Sequence, residues 1–133
     1  MGEILVVDDD VQIRQLLQDV LEFEGFDIRA APDGLSALKA LAERRPDCVL
    51  LDVMMPGMSG LDVLAAVRSD PRLDGLPVVM LSAASDDRTT WAGWSSGANC
   101  YLTKPFDVAE VIGWVHRLAG SPSSPCIPAQ PAG

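Results

Sequence analysis

Basic residues are scarce in this chain. Lys and Arg number 10 against 19 Asp and Glu, and the net charge is −9. So acidic a segment has no general attraction for nucleic acid or anionic lipid. Direct nucleic-acid binding and membrane binding are therefore not expected. Long apolar runs are missing too: none approaches the ~20 residues that cross a bilayer. The opening MGEILVVDDD has no basic region and only four consecutive apolar residues, which excludes a secretory signal. The three cysteines, Cys48, Cys100 and Cys126, form no CxxC pair. They read as reduced thiols, which with the missing signal gives a cytoplasmic expectation. No GxGxxG or Walker loop occurs, which argues against a nucleotide-binding variant of an α/β fold.

What is present is an ordinary globular balance. The 133 residues are 48% hydrophobic and 22% charged, enough for one domain with its own core. Short apolar runs alternate with helical patterns. Ile4–Val7, Phe26–Ala30, Cys48–Leu51, Pro77–Leu81 and Cys100–Thr103 read as strands, several apolar throughout and so covered on both faces. Helices are predicted over 11–24, 35–45, 61–68, 87–96 and from 107 to about 118. Gly25 stops the first, and Ser59 with Asp62 forms a capping box for the third. In the second, Leu35, Leu38, Leu41 and Ala42 are expected to face inward. Five strand–helix units in succession predict an α/β fold with a parallel sheet covered on both faces. After Gly120 the composition breaks to SPSSPCIPAQPAG, with a proline every third residue from Pro122 to Pro131. Residues 1–119 are thus expected as the domain, and 120–133 as an extended tail or linker.

In such sheets ligands bind beyond the carboxyl ends of the strands. The first strand ends in Asp8-Asp9-Asp10, the third in Asp52 and the fourth in Ser82, and Lys104-Pro105 follows the fifth. In a sheet ordered 2-1-3-4-5 the first and third strands are neighbours, so their carboxylates would meet. Like charges that close call for a proton or a cation. Oxygen donors without His or Cys point to Mg²⁺ or Mn²⁺ rather than zinc. A cation, a lysine and a hydroxyl around one carboxylate are the groups that handle a phosphoryl group.

The segments ILVVDDD (4–10), LLDVMMPGMSG (50–60), VVMLSA (78–83) and GANCYLTKPF (97–106) closely resemble the response-regulator receiver domains of two-component signalling. The resemblance covers about residues 3–118 and implies a flavodoxin-like, doubly wound (βα)5 fold with a five-stranded parallel sheet ordered 2-1-3-4-5. It implies Asp52 as phosphoacceptor, with Asp8, Asp9, Asp52 and the main-chain carbonyl of Met54 around Mg²⁺. Lys104 would pair with the phosphoryl group, Ser82 and Tyr101 would be the switch pair, and Pro105 would follow a cis bond. The implied partners are a sensor histidine kinase or phosphotransfer protein, and a downstream protein or effector domain. The latter would bind the face of the fourth helix, fifth strand and fifth helix, with homodimerisation on phosphorylation. Such a chain is not an enzyme in the ordinary sense, but it assists its own phosphoryl transfer and slow dephosphorylation.

Other readings of single residues remain beside this one. Asp8 and Asp9 as turn and N-cap residues are the plainer alternative, and Asp10 reads as a cap or solvated acid. His116 reads as a partner of the last helix's dipole. Trp91 and Trp94 share a face that is either core or a binding patch. Asn99 and Cys100 depart from the acidic residues frequent at those places. A dehalogenase-type hydrolase, with Asp8 as nucleophile in Asp8-x-Asp10, is the enzymatic rival, and a non-phosphorylated scaffold is the binding-module rival.

Overall fold

The apolar runs form parallel strands and the amphipathic stretches form the helices that cover them. The computed structural model describes residues 2–53, 55, 57–83, 99–104 and 106–120, with backbone only at 82, 83, 101, 103, 104 and 120. The strands are β1 (Glu3–Val7), β2 (Asp27–Ala31), β3 (Cys48–Asp52), β4 (Val78–Ala83) and β5 (Cys100–Lys104). The described helices are α1 (Val11–Phe23), α2 (Gly34–Glu43), α3 (Gly60–Ser69) and α4 (Val108–Gly120). The sheet order is β2-β1-β3-β4-β5, and every pairing is parallel. The predicted helix over 87–96, with Trp91 and Trp94, lies outside the described residues, as do the tail and Cys126.

Side chains alternate across a strand, so each apolar run feeds two cores. Leu5, Val7, Val49, Leu51, Val78 and Met80 pack on one face with Ala37, Leu41, Val63, Leu64 and Val67 of α2 and α3. Ile4, Val6, Leu50, Val79 and Leu81 pack on the other with Leu17 and Leu21 of α1 and Val111, Val115 and Leu118 of α4. Cys48 and Cys100 are both buried in that second layer.

Local signals end the elements much where the sequence places them. Asp10 caps α1, its Oδ1 accepting from Gln12 N at 2.9 Å and Ile13 N at 3.4 Å. Gly25 follows α1 with φ 98°, a left-handed conformation suited to glycine. Ser59 and Asp62 form the expected reciprocal capping box of α3. The inward face of α2 is corrected: Gly34, Ala37 and Leu41 are buried, whereas Leu35 is 64% exposed and Ala42 is exposed as well. The helix starts one residue earlier than predicted, and the face that packs on the sheet is that of Ala37 and Leu41, with Gly34 close to the Met58 side chain. Leu16 and Phe23 likewise lie on the outer side of α1.

His116 has partners from another part of the fold. Its Nε2 lies 2.9 Å from Glu24 Oε1, and its ring packs against Phe26 at 4.9 Å, tying α4 to the end of α1. Asn99 also has a structural task. Its Oδ1 accepts from Val78 N and from Arg68 Nη2, both at 2.9 Å, while Arg68 Nη1 donates to Leu76 O. Burial pushes the Arg68 guanidinium below its ordinary pKa.

At the amino-terminal edge of the sheet, Glu3 joins β1 to β2 and to the end of α2. Arg44 Nε donates to Glu3 Oε1 at 3.1 Å, and Arg29 Nε lies 3.1 Å from Glu3 Oε2. Arg29 also donates to the carbonyls of Ala40 and Arg44, closing the carboxyl end of α2. The hydrogen bond from Arg44 holds the Glu3 carboxyl below the usual carboxylate value of 4.5. A lowered folded pKa means stability present above the unfolded value and lost as pH falls through the folded one. Urea unfolding from pH 7 to pH 3 is therefore expected to show wild type losing more stability than Glu3→Gln below about pH 4.5. Parallel curves for the two proteins would refute the linkage.

Gly60 fixes where α3 meets the end of β3. A Cβ at this position would fall 2.1 Å from Asp52 O and 2.9 Å from Val53 Cα, both backbone atoms that cannot swing aside. Gly60→Ala is expected to cost about 1–3 kcal/mol, towards the upper end, in urea unfolding. An unchanged midpoint would show that the loop relaxes freely.

Candidate functional site: an acidic cluster at the carboxyl edge of the sheet

The parallel register of β1 and β3 builds the site. Val7 pairs with Leu51, so the next residues along the two chains are Asp8 and Asp52. Both are buried, Asp8 at 0% and Asp52 at 4% exposure, and they are the buried charged residues among those described. Asp9 is exposed at the turn. Carboxylate oxygens of Asp8, Asp9 and Asp52 all lie within 4.8 Å of one another. Three negative charges at that spacing repel strongly in a partly buried setting, and a divalent cation relieves the repulsion.

The three consecutive aspartates thus divide their work. Asp8 N donates to Ala31 O at 3.2 Å, and Asp8 Oδ1 accepts from Asp10 N at 2.9 Å. Asp8 is therefore not the helix cap; that role belongs to Asp10, whose carboxylate is committed to the first turn of α1. Asp10, the second aspartate of the Asp8-x-Asp10 pair, thus has one carboxylate oxygen engaged as a helix cap. Asp52 is held from behind. Val53 N donates to Leu81 O at 2.9 Å, and Gly60 N donates to Val53 O at 2.8 Å, bringing the start of α3 against the strand end.

The remaining predicted residues are placed by backbone register. Asp52 pairs with Leu81, so Ser82 follows one residue beyond that level; Ser82 pairs with Thr103 and Ala83 with Lys104. Ser82 and Lys104 therefore belong to the same edge of the sheet as the acidic cluster. Tyr101 pairs with Met80 on β5, which is an edge strand in the sheet order. Met54 and Pro105 lie outside the described residues.

Two residues bearing on the site were not singled out from the sequence. Gly60 is one, and its only signal is the MPGMSG loop. Arg14 is the other: its Nη1 donates to Asp8 O at 2.7 Å. Nothing in the periodicity of α1 marks it, because the bond crosses a turn whose shape the sequence does not reveal. A depression of about 450 Å³ lies nearby, lined by Asp33, Gly34, Leu35, Gly57, Met58 and Asp62. None of the three clustered carboxylates lines it. Asp33 and Asp62 are helix-capping residues there.

With this geometry in hand, the chain can be set beside known proteins. The profile of the response regulator receiver domain matches residues 4–116. The DNA-binding response regulator MtrA of Mycolicibacterium paratuberculosis is 46% identical over 123 residues, covering 92% of this chain and 53% of MtrA. The probable transcriptional regulatory protein TcrX of Mycobacterium tuberculosis is 45% identical over 109 residues, covering 82% of this chain and 46% of TcrX. The chain thus spans about half the length of the curated relatives it matches. Among solved structures, the receiver domain of the Francisella response regulator 1452 superposes with a TM-score of 0.84 at 33% identity, covering 92% of this chain and all of that one. The signal receiver domain of a Syntrophus aciditrophicus signal transduction histidine kinase superposes with a TM-score of 0.85 at 31% identity, covering 96% and 97%.

These relatives overturn one expectation. The low basic content argued against any nucleic-acid partner, yet proteins 46% identical to this chain are DNA-binding response regulators. The error is physical. Net charge over 133 residues sets the long-range attraction of that segment alone, whereas DNA contact depends on a local basic surface. No described helix is long and apolar enough to cross a membrane. The parallel α/β sheet, the carboxylates gathered at its carboxyl edge and the match over residues 4–116 together establish that this chain belongs to the response regulator receiver domain family of two-component systems.

Proposed function

We propose that this chain is a phosphoacceptor receiver. Asp52 takes a phosphoryl group from the phosphohistidine of a sensor histidine kinase or phosphotransfer protein. The observation that carries the reading is the meeting of Asp8, Asp9 and Asp52, with carboxylate oxygens within 4.8 Å, at the edge where parallel α/β sheets do their chemistry. The donor set fits a hard divalent cation: all carboxylate oxygen, two of the three groups buried, and no His or Cys among them. Asp8, Asp9, Asp52 and the main-chain carbonyl of Met54 are the groups assigned to hold Mg²⁺ or Mn²⁺. When bound, the cation supplies positive charge against the phosphoryl oxygens.

The protein's own groups do the rest. The ionised Asp52 carboxylate attacks phosphorus in line. The bond from phosphorus to the imidazole nitrogen breaks, and its electron pair leaves with the donor histidine. The product is an aspartyl acyl phosphate, which water later hydrolyses. Lys104 pairs with a phosphoryl oxygen, and the Ser82 hydroxyl donates to another. Because the chain is itself modified, it is a signalling domain rather than an enzyme. Ser82 moving towards the phosphoryl group, with Tyr101 following, biases a two-state equilibrium of the face that includes β5 and α4. A downstream partner or a second copy binds that face. Residues 1–119 are assigned to the receiver and 120–133 to a tail or linker. The relatives named DNA-binding and transcriptional regulators support an output that ends in transcription.

The test is intact-protein mass after incubation with acetyl phosphate, with and without Mg²⁺. One phosphoryl group is expected to be gained only with Mg²⁺, and not by Asp52→Ala. A gain that survives in Asp52→Ala would overturn the assignment and return attention to Asp8.

A further inference from the structure

Arg14 lies one turn into α1, away from the strand ends, yet it joins both ends of the acidic run. Its main-chain N donates to Asp10 O at 3.0 Å, the first turn of the helix. Its side-chain Nη1 donates to Asp8 O at 2.7 Å. Asp10 N in turn donates to Asp8 Oδ1 at 2.9 Å. These three bonds close a loop around Asp9, whose exposed carboxylate is carried between two anchored neighbours. Asp8 O lies just past the last paired residue of β1, where the strand ladder has ended. The guanidinium donates to this carbonyl from the side of α1. It grips a main-chain carbonyl, so this bond occupies no carboxylate oxygen of the cluster.

We propose that Arg14 is a positioning residue that locks the Asp8–Asp10 turn and so presets the Asp8 and Asp9 carboxylates for a divalent cation. This rests on the reading of the cluster as a cation site. A partly buried arginine bonded to a carbonyl is held by a planar group with fixed donor directions, which a flexible ammonium does not reproduce. Groups that orient ligands without touching the metal commonly govern affinity by about 10-fold or more. The rival physical effect has the opposite sign: as a bare positive charge near the cluster, Arg14 would repel a cation.

The experiment titrates MgCl₂ into the full chain by calorimetry at fixed ionic strength. It compares wild type, Arg14→Met and Arg14→Lys, each checked for native circular dichroism well below its Tm. Amide exchange at Asp10 is followed in the metal-free proteins. The expected result is Mg²⁺ affinity about 10-fold weaker in Arg14→Met, with faster Asp10 exchange. Arg14→Lys should fall between the two, and it carries the test if Arg14→Met does not fold. Unchanged or tighter Mg²⁺ binding in the variants would overturn the positioning role. So would weaker binding with Asp10 exchange unaltered, since the effect would not then run through the turn. Absence of saturable Mg²⁺ binding in wild type itself would be the separate failure of the cation site, and the positioning role would fall with it.

Discussion

Like charges brought together at the ends of two neighbouring strands are the constraint on which the rest of this structure depends. Asp8 and Asp52 are both buried and reach the same edge because β1 and β3 run parallel with Val7 opposite Leu51. Neither position is favourable for a carboxylate taken alone. The chain holds them there because each continues a strand that is buried along its length, and those strands cannot shift register without moving every side chain to the opposite core. The closeness of these acids is therefore built in by packing elsewhere in the sheet.

The two edges of the sheet treat charge in opposite ways. At the amino-terminal edge, Glu3 is shared between Arg29 and Arg44, and Arg29 also closes the end of α2. Opposite charges there add a polar tie between elements that also share an apolar layer. At the carboxyl edge three acids of one sign are gathered, and neighbouring backbone is drawn in tightly, with α3 approaching Asp52 through a glycine. The apolar layers and the paired edge hold the sheet together, and the acids of one sign are gathered at the other edge. That division is common in α/β domains, where rigid strands hold reactive loops.

The helices are likewise tied to the site by different means. α1 is joined to the acidic turn by Asp10 and Arg14, and to α4 by the contact of Glu24 with His116. α3 is joined by main-chain bonds at Val53 and Gly60.

The alternation of apolar runs with helical periods was legible along the chain, and so was the family, because ILVVDDD and LLDVMMPGMSG carry chemistry as well as pattern. Caps could be read locally at Asp10, Ser59 and Asp62, since a cap involves residues only two or three apart. Other features required the tertiary structure. Leu35 carries the residue type of a core position but faces out, because α2 packs on the sheet through Ala37 and Leu41. His116 finds Glu24 from 92 residues away. Arg14 reaches Asp8 O across a turn whose geometry no periodicity encodes. Sequence determined which residues are apolar, which are acidic and in what order they come. Packing decided which of them touch, because contact depends on the rotation of each helix and the register of each strand, and those are fixed only when all the elements are assembled.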